Sequence, residues 1–145
     1  MKALIQRVKS ASVSINEELY SSINSGILVF LGVEKCDKEE NADCLAEKIV
    51  KLRIFEDENG KMNKSITDIG GELLIVSQFT LCGNCQKGTR PSFDNAMPPK
   101  EANDLYEYFA SKIRAFGIPS KTGKFGAMMD IELINDGPVT FMIEK

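Results

Sequence analysis

Two runs of alternating residues near the C-terminus constrain the fold more than any other feature of the chain. Met129, Ile131 and Leu133 alternate with Asp130 and Glu132, and Val139, Phe141 and Ile143 alternate with Thr140, Met142 and Glu144. A period of two marks a half-buried strand, because successive side chains leave opposite faces of a sheet. Between the runs lies Asn135-Asp136-Gly137-Pro138. Asn, Asp and Gly tolerate positive φ, so this stretch predicts a tight turn that joins the two strands as a hairpin. Pro138 has no N–H to give to a ladder and restricts Gly137 before it. A Gly-Pro step at a strand edge therefore leaves carbonyls, and the glycine N–H, free to point at something else.

The rest of the chain reads as strands with two helices interspersed. Lys2 to Ile15 is one long strand or two broken ones, with Ala3, Ile5 and Arg7 on one face and Leu4, Gln6 and Val8 on the other. Arg7 is either a rim residue with a packed stem or a guanidinium that holds backbone carbonyls. Asn16-Glu17-Glu18 turns the chain, and Leu19 to Asn24 returns as a hairpin partner. Ile27 to Leu31 is continuously apolar, as a strand buried on both faces would be. Asp37 and Glu40 suggest a capping box ahead of a helix whose stripe is Ala42, Leu45, Ile49 and Leu52. Arg53 to Phe55 is a short strand, followed by a turn at Asp57 to Gly60. Glu72 to Val76 is a second core strand, and Ser77-Gln78-Phe79-Thr80-Leu81 interrupts it with polar groups that either line a site or cap the strand. Pro98-Pro99 opens a second helix with the stripe Ala102, Leu105, Phe109, Ile113 and Phe116, which Gly117 and Pro119 end. The sum is α+β with one core, six or seven strands, mainly antiparallel, and a single domain over residues 1–145.

Composition narrows the chemistry. The chain has 145 residues and no histidine, so neither a Ser-His nor a Cys-His pair is available to a hydrolase. A general base has to be a carboxylate, a lysine, a backbone group or part of the substrate. Cys82-Gly83-Asn84-Cys85 is a lone Cys-x-x-Cys, and Cys36 and Cys44 are badly spaced to complete a zinc site. No metal or cofactor is expected. No apolar run reaches membrane-spanning length and the N-terminus breaks early with polar residues, so the expectation is a cytoplasmic protein without a membrane partner. Net charge is −3 but uneven. Glu34 to Gly60 holds five basic and nine acidic residues, whereas Gln86 to Lys124 holds seven basic and four acidic ones. A polyanion would meet the second region, through Lys87, Arg90, Lys112, Arg114, Lys121 and Lys124. The alternative there is an ordinary solvated surface.

Five segments in order carry a resemblance: Leu4-Ile5-Gln6-Arg7-Val8, Ser77-Gln78-Phe79-Thr80-Leu81, Arg90-Pro91-Ser92-Phe93, Thr122-Gly123-Lys124-Phe125 and Asn135-Asp136-Gly137-Pro138-Val139-Thr140. End to end, the chain resembles the D-aminoacyl-tRNA deacylases. That resemblance implies a barrel-like sheet arrangement with helices outside. It implies a homodimer that cleaves the ester between tRNA and a D-amino acid, or mischarged glycine, in active sites at the dimer interface. It places Ser77, Gln78, Phe79 and Thr80 at the reacting end. A cis Gly137-Pro138 step from one subunit acts as chirality filter for the other. Phe125 and Met129 lie near the terminal adenosine, and Arg7 orients the Gly-Pro segment. The position of Cys82 is one where the family is expected to carry Ala or Tyr. Two other classes stay open on the residues alone: an RNA-binding module without turnover, and a thiol or metal protein built on Cys82 and Cys85.

Overall fold

The computed structural model describes residues 1–145. Its frame is β1 (Lys2–Ile15), a single strand of 14 residues. Along one edge β1 pairs antiparallel with β8 (Asp130–Glu144). Along the other it pairs antiparallel first with β3 (Gly26–Gly32) and then with β2 (Glu18–Ile23). The β1–β2 turn uses Asn16 and Glu17 at φ 52° and 66°, the backbone that a two-residue hairpin loop requires. β3 pairs with β6 (Glu72–Ser77), and β6 with β7 (Ser120–Thr122), both in parallel. Antiparallel pairing thus prevails but is not universal. The order β2-β1-β3-β6-β7 curls until Ser21 Oγ of β2 donates to Thr122 O at 3.0 Å, leaving a nearly closed barrel. A separate small hairpin joins β4 (Phe55–Glu56) to β5 (Met62–Lys64), so there are eight strands rather than six or seven.

Two helices cover one side: α1 (Glu39–Lys51) and α2 (Pro99–Ala115). The parallel strands need this cover because both their faces are buried. Ile27, Val29, Leu31, Leu73 and Ile75 pack toward Leu45, Ile49, Phe109 and Ile113 in the larger core. Leu28, Leu74 and Val76, the alternate residues, pack inside the barrel with Val8, Ala11, Val13 and Ile23. The capping expected of Asp37 and Glu40 is corrected. The α1 cap is Lys38, whose N–H donates to Asn41 Oδ1 at 2.9 Å. Asp37 instead accepts the N-terminal ammonium of Met1 at 2.5 Å and the Glu34 N–H at 2.6 Å. Phe116, assigned to the α2 stripe, is exposed just past the helix end.

The expected hairpin at Asn135–Pro138 is also corrected. β8 does not turn back there. It continues along β1, with Asn135 opposite Val8 and Thr140 opposite Gln6. Only Arg7 separates the two partners on β1, whereas Asp136 to Val139 separate them on β8. The extra residues bulge out of an otherwise continuous strand. A second irregularity follows on β1, where Lys9 is the extra residue between Val8 and Ser10. It reverses the alternation. Ala3 and Ile5 therefore face the helix-side core, while Ala11 and Val13 face the barrel interior.

Candidate functional site

Strands β3 and β6 run parallel and end together, and a cavity of about 720 Å³ opens at their C-terminal ends. Ligands in sheets with parallel strands are commonly held beyond those ends. Ser77, Gln78 and Phe79 form one side, and Phe125 and Met129 another. Five of the nine site residues expected from sequence thus line one cavity. Thr80 lies one residue beyond the lining and is exposed. Most of the remaining lining is apolar and includes Phe93, Met97 and Met128, which suits a flat aromatic group flanked by soft side chains.

The reacting end is built by a change of backbone. β6 stops at Ser77, and Phe79–Cys82 form a single 3₁₀ turn. The Gln78 N–H is consumed by Leu31 O at 2.8 Å, which ties the turn to the end of β3. Gly32 lets the two approach, since a Cβ there would come within 3.1 Å of Gln78 O. Leu81 N–H donates back to Gln78 O. The N–H groups of Phe79 and Thr80 donate to no protein acceptor, as expected at the start of a helical turn. Two adjacent unpaired donors are what a developing oxyanion needs. The Gln78 carboxamide donates to Thr80 Oγ1, and no ionisable base contacts that hydroxyl.

Tyr106 was not singled out from the sequence, although it is four residues from Ala102 and three from Phe109 on the α2 stripe. It is fully buried and lines the cavity. Its hydroxyl donates to Ile75 O at 2.8 Å, two residues before Ser77, and its ring packs on Phe125 at 5.8 Å. Burial pushes its pKa well above the usual tyrosine range. Phe93, quoted in the Arg90–Phe93 segment but given no site role there, packs against Phe79 with ring centroids 5.0 Å apart and planes tilted by 58°.

Arg7, Gly137 and Pro138 do not line this cavity. They form a second group at the β8 bulge. Arg7 is 3% exposed. Its guanidinium donates to Ile54 O at 2.6 Å and to Asp136 O at 3.1 Å, and approaches Gly137 O at 3.5 Å. It also pairs with the Asp136 carboxylate at 2.9 Å. The reading of Arg7 as a holder of carbonyls is the one the structure bears out. From the other side, Asn135 Nδ2 donates to Arg7 O and Val139 O. The Gly137–Pro138 bond is cis, and both residues are exposed.

The cysteine pair does not offer two thiols to one ligand. Cys82 is 2% exposed, its thiol donates to Val33 O at 3.4 Å, and burial raises its pKa; Cys85 is exposed. No helix is long and apolar enough to cross a membrane.

Comparison with known proteins places this architecture. A family model described as D-Tyr-tRNA(Tyr) deacylase matches residues 4–144. The chain is 62% identical over 144 residues to a D-aminoacyl-tRNA deacylase of Geotalea daltonii, covering 99% of this chain and 96% of the relative. It is 58% identical over 145 residues to one of Pelobacter propionicus, covering 100% of both. Among solved structures it is similar to a c-Myc DNA unwinding element binding protein, with a TM-score of 0.95 and 44% identity, covering 100% of this chain and 99% of the other. It shares its fold with a probable eukaryotic D-amino acid tRNA deacylase at a TM-score of 0.85 and 17% identity, covering 99% and 98%. With the family model and these full-length relatives in agreement, the chain belongs to the D-aminoacyl-tRNA deacylase family.

Proposed function

We propose that this protein hydrolyses the ester between a D-amino acid and the terminal adenosine of tRNA, frees both, and spares L-aminoacyl-tRNA. The observation that carries the reading is the end-to-end identity with relatives named for this reaction. The cavity supports it. Its apolar wall with Phe125 and Met129 receives the adenine, and the turn at Ser77–Thr80 receives the ester.

The chemistry follows from what the site holds. Attack on the ester carbonyl places negative charge on its oxygen, and the free N–H groups of Phe79 and Thr80 stabilise that oxyanion. A single such donor is worth about 2.7–4 kcal/mol in other enzymes. Collapse breaks the bond to the ribose oxygen, which takes up a proton as tRNA leaves. The chain has no histidine to activate Thr80, so water is the nucleophile, and the ribose 2′-OH beside the ester assists it by relaying its proton to the leaving ribose oxygen.

Chirality is tested by backbone. D and L side chains are the same groups, so rejection of L substrates needs a wall at the α-carbon. The Gly137-Pro138 segment supplies it from a second subunit of a homodimer. Two observations support that placement: both residues are exposed and absent from their own chain's cavity, and β8 presents Ile134, Phe141 and Met142 at the surface. Glycine carries only hydrogen at the tested position, so glycyl-tRNA is also a substrate. A protein acting on charged tRNA works in the cytoplasm.

Purified protein is expected to release D-tyrosine, and not L-tyrosine, from charged tRNA. Equal release of both, or of neither, overturns the reading. Light scattering is expected to give a dimer, and a fully active monomer overturns the shared site.

A further inference from the structure

We propose, resting on the deacylase reading, that the loop Cys85–Pro91 seats the phosphates of the tRNA strand as it leaves the cavity, together with Lys124. The loop is closed at its base by a bridge: Asn84 N–H to Ser92 O at 2.8 Å and Ser92 N–H to Asn84 O at 3.0 Å. That base is fixed to the cavity rim. The next residue, Phe93, lines the cavity and packs at a tilt against Phe79. On the other strand of the base, Gly83 abuts the same ring, since a Cβ there would lie 2.9 Å from Phe93 Cε1.

Between these anchors the sequence is Cys-Gln-Lys-Gly-Thr-Arg-Pro, with two cations and no acid. Every residue of it is exposed. Gly88, at φ +70°, makes the reversal. Lys87 and Arg90 have no carboxylate partner, whereas Lys2, Arg7, Lys51, Lys64 and Lys112 each do. Lys124 is likewise exposed and unpaired, immediately before the cavity residue Phe125. The basic residues that sequence grouped together therefore divide, with Arg114 and Lys121 unpaired but not beside a cavity residue in the chain. Lys112 is held by Asp43 at 2.9 Å and lies over the Tyr108 ring. Lys87, Arg90 and Lys124 stand free beside an apolar cavity.

A nucleoside in that cavity must trail its strand across the rim, and each further nucleotide brings one phosphate. Unpaired cations there gain binding free energy by releasing counterions from the strand. Phosphate contacts of this kind position the substrate and carry no base preference.

The test uses intact protein, the Lys87→Ala/Arg90→Ala double variant, and Lys48→Ala/Lys61→Ala as a charge-matched control. Affinity for uncharged tRNA is measured from about 50 to 300 mM KCl. Each single-stranded phosphate contact contributes about 0.7 to the log–log slope, so the double variant should be shallower by about 1.4 and the control unchanged. In parallel, kcat/KM is measured on D-tyrosyl-tRNA and on the D-tyrosyl ester of adenosine, which has no phosphate. The ratio of the two should fall about tenfold in the double variant. An unchanged slope, or an equal loss on both substrates, overturns the proposal, the latter because the loop would then be shaping the cavity. If unaltered protein hydrolyses neither ester, the deacylase reading fails while the salt slope still judges the loop.

Discussion

Replacing Arg7 by Met tests the link between the β8 bulge and activity. Methionine keeps much of the stem volume and removes the guanidinium. The Ile54 carbonyl, buried and bonded at 2.6 Å, then has no donor. A hydrogen bond from a charged donor contributes about 1.5–3 kcal/mol, and the orphaned acceptor adds to the loss. The Asp136 carbonyl at 3.1 Å is part-buried and adds less. The Asp136 carboxylate is 37% exposed and returns to water, so its pairing with Arg7 adds at most about 1 kcal/mol. Glu56, at 3.6 Å and 57% exposed, adds little. The sum is about 3 kcal/mol. For a chain of this size that is roughly 6–12 °C in Tm, measured at one fixed protein concentration because association of copies would make Tm depend on it. Activity should fall further than stability requires. A misplacement of about 1 Å costs about 100-fold in rate, so kcat/KM for D-tyrosyl-tRNA at 25 °C should drop about that much while the protein remains folded. Arg7→Lys separates the roles: one ammonium can reach one carbonyl and recover part of the Tm, but lacks the planar fork that holds several. An unchanged Tm would refute the packing argument. A Tm lowered as expected, with rate and D/L discrimination intact, would refute the positioning role.

Thr80→Ala should cost much less than the ~10⁶-fold loss that follows removal of an activated serine, because no base contacts Thr80; an acylated Thr80 trapped by mass spectrometry would sink the RNA-assisted route, as would full activity on a terminal ribose lacking its 2′-OH. Gly137→Ala should slow D-tyrosyl-tRNA hydrolysis about tenfold, the effect of about 1.4 kcal/mol at the mild end of overpacking, since its Cβ would lie 3.2 Å from Asn135 Oδ1; wild-type rates with this variant, or no release of glycine by the parent protein, count against the backbone filter. Tyr106 gives an alkaline signature: its folded pKa is raised above the ordinary 10.0, so above pH 10 the unfolded chain binds fewer protons and stability falls by up to about 1.4 kcal/mol per pH unit. Tyr106→Phe should flatten that slope in denaturant titrations, and an unchanged slope would remove Tyr106 as its source.

The longer strands and both helices were legible because each carries its own period, whereas β5 and β7, three residues each, are too short to carry one and were not read. Ile27–Leu31 reads as doubly buried and is; the α1 stripe reads Ala42, Leu45 and Ile49 and buries them. Pairing direction was not legible, because β3 and β6 are brought side by side by α1 and the small hairpin between them, and no local residue encodes that. The α1 cap failed for a similar reason, while Pro98-Pro99 does open α2. Asp37 has the right spacing for a helix cap, but the N-terminal ammonium of Met1 competes for it, and Met1 is 36 residues away. At the site, Ser77–Thr80 stood out as polar groups ending an apolar strand. The groups assigned to the chemistry are backbone N–H donors that any residue but proline carries, so only the change from strand to 3₁₀ turn reveals them. Tyr106 and Phe93 were hidden for the opposite reason: an aromatic on an apolar stripe or in a loop looks the same whether it fills a core or walls a cavity.

The misread turn at Asn135–Pro138 shows how a site differs from a connection. Turn residues between two alternating runs fit a hairpin equally well as a bulge, since both need relaxed φ and a break in the ladder. What decides between them is length elsewhere. β1 runs as one strand of 14 residues despite the irregularity at Lys9, and β8 pairs with it on both sides of the break rather than folding back. Arg7 stands where the two halves of that pairing meet, just before Lys9 reverses the alternation of β1. On the helix-side face it is enclosed, and a guanidinium buried to 3% is tolerable only if its donors are met. The bulge meets them with the carbonyls of Asp136 and Gly137 and the Asp136 carboxylate, and Ile54 supplies the rest. A hairpin would have paired those carbonyls within its own ladder and left Arg7 with Ile54 O and the distant Glu56 carboxylate alone. The cation and the bulge therefore satisfy each other, and the Arg7→Met and Arg7→Lys variants test whether that contact also positions Gly137 and Pro138 for the chemistry.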